Sequence, residues 1–181
     1  GYWEEFYLPV GHPSLLMVKP SPHIRPLRVL EEQFPTFCLV IGDSQVSKVF
    51  TYWSGSIVEK KVVRSEEEII GETDEATSGF GEQRYQRYIK DHVLRHMKRT
   101  ADVILGMFQN SEFDYLIIGA TDTRNLTTLK NNLHSYLKEV LVGEINAGPE
   151  SNNDIIRKKA GEVASEWEKR KEKDIVDKLK E

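Results

Sequence analysis

From Thr36 onward, apolar and polar positions fall into short blocks, and turn formers close each block. The runs Phe37–Gly42, Val46–Trp53 and 57–64 are β-prone and are separated by Gly42-Asp43-Ser44 and Ser54-Gly55-Ser56. They predict a three-strand antiparallel meander. The first run is continuously apolar and belongs at the centre of a sheet; the third alternates only in part and suits a more exposed position. From 82 to about 109, Tyr85, Ile89, Val93, Met97, Ile104 and Phe108 recur at three- to four-residue steps or their multiples, the mark of a long helix with one buried stripe. The all-apolar run 115–120 reads as a strand buried on both faces. Thr121-Asp122 then caps a helix with apolar positions Leu126, Leu129, Leu133 and Leu137. A last strand at 139–145 completes a βαβ unit with a parallel, right-handed crossover. Asn146-Ala147-Gly148-Pro149 breaks the chain before a final helix from about Asn152, whose seam is Ile156, Ala160, Val163 and Trp167.

This order gives an α/β fold: a mixed sheet of about five strands, an antiparallel meander plus a βαβ unit, flanked by helices. The first 35 residues hold six of the seven prolines and read as an extended N-terminal connection, with edge strands at 6–10 and 15–18 and a short helix at 27–34. The packed domain spans 36–167. Residues 168–174 are all charged, so 168–181 reads as a charged helical tail or linker in which Ile175, Val176 and Leu179 resume apolar spacing. Those three dock weakly, continue a solvated helix, or lead to a further domain.

Composition narrows the partners. With 39% apolar and 30% charged positions, 181 residues bury a continuous core. The formal net charge is −4, so any nucleic-acid surface has to be local. Cys38 has no second thiol, which excludes an internal disulfide or a multi-cysteine metal site and fits a reduced, cytoplasmic location. No run approaches the roughly 18 to 20 apolar residues of a membrane span. No cationic start followed by an apolar segment reads as a secretory signal. The opening Gly1-Tyr2-Trp3, without methionine, reads as a processed product or an excised piece of a longer protein.

Candidate chemistry gathers where the meander meets the long helix. Residues 65–77 carry six acids and no base, a mobile loop that ends in Ser78-Gly79-Phe80-Gly81. Projection at about 100° per residue puts Arg84, Arg87, Arg95 and Lys98 within roughly 80° of arc, almost opposite the apolar stripe, with Asp91 among them. Four such cations can grip RNA phosphates, with Phe80 and Tyr88 available for stacking. The bland alternative is a solvated face with ordinary intrahelical pairs. His92 and His96, one turn apart, have a metal-ligand spacing, but no glutamate follows the first of them as in zinc hydrolases. Both lie at the border of the apolar stripe, where packing or hydrogen-bonding roles fit better. No nucleophile elbow occurs, and Gly79-Phe80-Gly81 does not continue into a phosphate loop, so no cofactor or nucleotide hydrolysis is expected.

The run Ser78-Gly79-Phe80-Gly81-Glu82-Gln83-Arg84-Tyr85-Gln86-Arg87, after a three-strand meander and opening a long helix, resembles the middle domain of archaeal and eukaryotic class-1 peptide-chain release factors. It is still more similar to their bacterial relatives, the bacterial archaeo-eukaryotic release factor family, which share the Arg84 to Arg87 signature and turns such as Asp91-His92 and Arg95-His96. Phe113 to Ala120 and Leu137 to Gly143 also look like that family. The resemblance covers about 36–167. It makes the first 35 residues a connection from an upstream domain, and nothing here looks like the family's third domain. Hydrolytic members carry Gly-Gly-Gln at the loop tip, and alignment on the arginines sets Ser78, Gly79 and Phe80 at those three positions.

The resemblance thus implies a translation-related module that binds ribosome or tRNA through Gly79, Phe80, Gly81, Arg84, Arg87, Arg95 and Lys98, without peptidyl-tRNA hydrolysis. Two alternatives stand beside it. One is an active hydrolase using Gln83 in a rearranged Gly81-Glu82-Gln83 loop; the other is a protein-interaction or homo-oligomerisation module.

Overall fold

The structure is a computed structural model and describes residues 16, 18, 20, 21, 24, 25, 28, 34–65 and 79–179. The chain divides into two units, Gly1–Pro35 and Thr36–Glu181. In the first, Arg25 and Arg28 are helical, and the Arg28 N–H donates to the Ile24 carbonyl at 3.1 Å. The strand expected at 6–10 lies outside the described residues. Of the one at 15–18, Leu16 and Val18 are described and neither is in a strand; of the helix at 27–34, Arg28 and Phe34 are described, and Phe34 lies in a bend.

The second unit is built on five strands: β1 (Phe37–Gly42), β2 (Val46–Trp53), β3 (Ser56–Arg64), β4 (Tyr115–Gly119) and β5 (Leu141–Ile145). Their order across the sheet is β3-β2-β1-β4-β5. The β1–β2 and β2–β3 pairs are antiparallel, while β1–β4 and β4–β5 are parallel. The mixed sheet of meander plus βαβ unit is therefore present, with β1 at its centre. All six β1 residues are buried, as its unbroken apolar run requires. β3, at the edge, is exposed except at Val63 and Ile57.

Local chemistry fixes both hairpin turns. Asp43 Oδ1 accepts from the Gln45 and Val46 N–H groups at 2.8 and 2.7 Å, closing the β1–β2 turn. Ser54 and Gly55 adopt φ of 45° and 84°, the paired left-handed conformation of a two-residue hairpin loop.

Among the described residues, four helices cover the sheet: α1 (Gly79–Gln109), α2 (Thr123–Asn132), α3 (Ser135–Glu139) and α4 (Asn153–Lys178). α1, α2 and α3 bury Met97, Ile104, Met107, Leu129 and Leu137 against Cys38, Val40, Val49, Leu116 and Ile118 on one face. α4 buries Ile156, Ala160 and Ala164 against Phe37, Leu39, Ile41, Phe50 and Ile117 on the other. Full burial of each large apolar side chain contributes about 1.5–3 kcal/mol, so these two clusters hold the layers together.

Three boundaries differ from the pattern. α1 begins at Gly79 rather than 82. A helix's first N–H groups have no intrahelical acceptor, so glycines are least costly there and are a poor guide to where it starts. The single helix expected after Asp122 is two. Leu133, at φ −63° and ψ 138°, leaves the helical conformation while its N–H still donates to the Leu129 and Lys130 carbonyls. Leu133 and Leu137 are both buried on either side of the break, so their spacing survives it and conceals it. Glu139 consequently ends α3, and β5 starts at Leu141. Past Trp167, α4 continues unbroken to Lys178, and Lys169 to Leu179 are exposed.

Candidate nucleic-acid interface

The 31 residues of α1 are about 46 Å long, against about 17–30 Å for the strands of this sheet. The helix therefore overruns the sheet. Among the described residues of α1, full burial begins at His92. Ser65, just after β3, lies 3.3 Å from His92 Nδ1 through its hydroxyl. One turn on, His96 Nε2 is 3.0 Å from the Ser47 hydroxyl on β2, and the Thr100 hydroxyl is within hydrogen-bonding distance of both Ser47 Oγ (3.1 Å) and the His96 carbonyl (3.0 Å). Ser47 pairs with Gly42, where an added Cβ would stand 2.8 Å from Ser47 Oγ, so glycine keeps this seat open. Both imidazoles thus serve as hydrogen-bonding groups at the carboxyl end of β1. Among the described residues, no three His, Cys, Asp or Glu side chains gather as a metal site. Burial pushes His96 below the ordinary histidine range, Asp43 opposing and Arg99 adding to the effect.

The seats of His92 and His96 fix the rotation of α1, and rotation decides which side chains face outward. Arg84, Arg87, Arg95 and Lys98 are all exposed. Arg95 Nε lies 3.2 Å from Asp91 Oδ2, with both side chains more than half accessible. Such a surface pair contributes about 0.3–0.5 kcal/mol and leaves the guanidinium reachable. Tyr88, 37% exposed, packs edge-on against His92 at 5.0 Å and stands next to Arg84 and Arg95 on the helical projection. The helix thus presents an outward cationic strip with an aromatic side chain on its border.

Gly79, Phe80 and Gly81 belong to the first turn of α1, not to the loop before it. Gln83 also lies on the helix and is exposed. The acidic stretch 66–78 lies outside the described residues. Two exposed residues escaped the sequence reading: Gln86 and Lys90, which with Gln83 and Arg87 line an open depression of about 300 Å³. Their signal was available in the steps 83, 86, 87 and 90, a polar stripe beside the cationic one. No described helix is long and apolar enough to cross a membrane.

Comparison with known proteins accords with this architecture. The archaeal translation termination factor aRF1 superposes with a TM-score of 0.50 at 12% identity, over 80% of this chain and 40% of its own. Another structure, described as an archaeal protein, gives 0.47 at 10% identity, over 80% of this chain and 39% of its own. The chain thus spans about two fifths of the length of these structures. No curated protein matches it. The model of bacterial archaeo-eukaryotic release factor family 10 matches residues 22–165, and the chain belongs to that family.

Proposed function

We propose that this protein is a release-factor-like module that contacts ribosomal RNA or tRNA through α1 in the cytoplasm, and that it does not hydrolyse peptidyl-tRNA. The observation that carries the reading is the outward strip of Arg84, Arg87, Arg95 and Lys98 on a helix that overruns its sheet. Phosphates are met by cations that need no burial, and a helix extending past its own domain can enter a groove that the domain body cannot. Gly79, Phe80 and Gly81, at the start of the same helix, complete the contact in this reading. Phe80 supplies a ring for stacking. It has no side-chain group able to position water, which is the reason for expecting no ester hydrolysis.

The test is co-sedimentation of the full chain with ribosomes across a salt series. Binding is expected to decline steeply with salt, and Arg84→Ala with Arg87→Ala is expected to lower the logarithmic salt slope by about 2. Lys169→Ala with Lys173→Ala on α4 is the control and should leave that slope unchanged. An unaltered slope in the arginine variant defeats the assignment. Turnover of peptidyl-tRNA that disappears in Gln83→Ala would instead favour the hydrolase.

A further inference from the structure

Gln83, Gln86, Arg87 and Lys90 occupy positions i, i+3, i+4 and i+7 of α1, so they stand on one stripe about 10 Å long beside the line of Arg84, Arg95 and Lys98. All four are exposed and border the same open depression. Asp91, the next acid along the helix, is engaged by Arg95. Among the described residues that border the depression, two are carboxamides and two are cations.

That mixture is chemically selective. Guanidinium and ammonium groups donate only and suit phosphates, whereas a carboxamide both donates and accepts and suits a hydroxyl. A ligand presenting only phosphates would leave the amides without a task. The ribose–phosphate backbone of RNA presents both groups, and double-helical RNA displays its 2′-hydroxyls along a wide, shallow minor groove. DNA offers the same phosphates and nothing in place of the 2′-hydroxyl.

We propose that this stripe binds the backbone of double-helical RNA, Gln83 and Gln86 hydrogen-bonding 2′-hydroxyls while Arg87 and Lys90 hold the flanking phosphates. The assignment rests on the reading of α1 as an RNA-contacting helix and adds to it a means of telling RNA from DNA. The cations set the strength of binding and its salt dependence; the amides set the choice of sugar.

The experiment measures binding of the full chain, by fluorescence anisotropy, to a short RNA duplex and to a DNA duplex of the same sequence. The wild type is expected to favour RNA by about tenfold, the scale of two net hydrogen bonds. Gln83→Ala with Gln86→Ala should bring that ratio near one and keep the salt slope. Arg87→Ala with Lys90→Ala should lower the slope by about 2 on both duplexes. Circular dichroism of each variant confirms that the helix is intact. Equal affinity of the wild type for the two duplexes, or a ratio that survives in the glutamine variant, overturns the proposal. If ribosome co-sedimentation persists in that case, only the stripe's role falls; if neither ribosomes nor either duplex binds, the reading of α1 falls with it.

Discussion

Where α1 passes the carboxyl end of β1 it is held by imidazoles and hydroxyls, and where α4 passes the amino ends of β1 and β4 it is held by aromatic rings. The first root is Ser47, Thr100 and His96, with Ser65 and His92 beside them. At the second, Phe37 meets Tyr52, Tyr115 and Trp167 at centroid distances of 6.1, 5.7 and 5.7 Å. The segments that emerge differ in the same sense. Residues 83–99 of α1 carry six bases and one acid, while the equally long stretch 162–178 of α4 carries five bases and six acids. A balanced surface keeps a helix solvated without choosing a partner; a one-sided surface costs self-repulsion and is suited to a polyanion. The difference also separates what holds each helix from what perturbs it, since hydroxyl–imidazole contacts respond to protonation and ring packing does not.

The largest expected effect is at the aromatic root. Phe37 is 1% exposed and touches three other rings, so Phe37→Ala removes packing from β1, β2, β4 and α4 together. It should lower unfolding free energy by about 3–5 kcal/mol in urea titration. A loss below 1 kcal/mol would mean that α4 is held by its Ile156, Ala160 and Ala164 seam alone.

The polar root should reveal itself through pH. Burial keeps His96 below the 6.5 of a free histidine, so the unfolded chain takes up this proton at a higher pH than the folded one. Between those two values the unfolded state holds more protons, and stability falls as pH drops through the window; above 6.5 the contribution is complete. Urea unfolding at about pH 7.5 and 5.5 should show the wild type losing more stability than His96→Gln, which can still meet the Ser47 hydroxyl but does not titrate. Equal losses in the two proteins would place the sensitivity elsewhere.

The layered fold was legible because its signals are redundant. β1, β2 and β4 combine apolar runs with flanking turn formers, and Asp122 and Asn152 accept from the N–H groups of Arg124 and Asp154 as their positions before helices imply. The break at Leu133 was not legible, because no glycine or proline marks it and both leucines around it face the core. The cationic strip could be read because helical projection needs only the phase of the buried stripe. The polar root could be read only in half: His92 and His96 lie at the stripe's border, but Ser47 and Thr100 are small polar residues whose partners come from another element, and nothing local announces such pairing. Gln86 is uncharged and Lys90 projects about 60° outside the arc of Arg84, Arg87, Arg95 and Lys98, toward the apolar stripe, so a criterion of clustered charge selects neither.

The smallest expected effect sharpens the contrast at α4. Lys171 Nζ stands 4.8 Å from the Trp167 ring centroid and 5.4 Å from that of Tyr115, and donates to the Tyr115 hydroxyl at 3.2 Å. Tyr115 and Trp167 are themselves 3.9 Å apart, so one ammonium faces two adjoining rings. At an exposed site such a contact contributes about 0.5–1 kcal/mol, and Lys171→Ala should reduce stability by that amount. Part of any loss comes from the aliphatic stem lying on the rings, which Lys171→Met retains while removing the charge. If the attraction is between cation and ring, Met should be nearly as destabilising as Ala, and Arg should restore most of the loss. If Met matches the wild type, the stem is what matters and the aromatic root of α4 is apolar throughout. In either case Lys169→Ala, one turn from no ring, should stay within about 0.5 kcal/mol of the wild type, because an exposed side chain outside the cluster has little to lose.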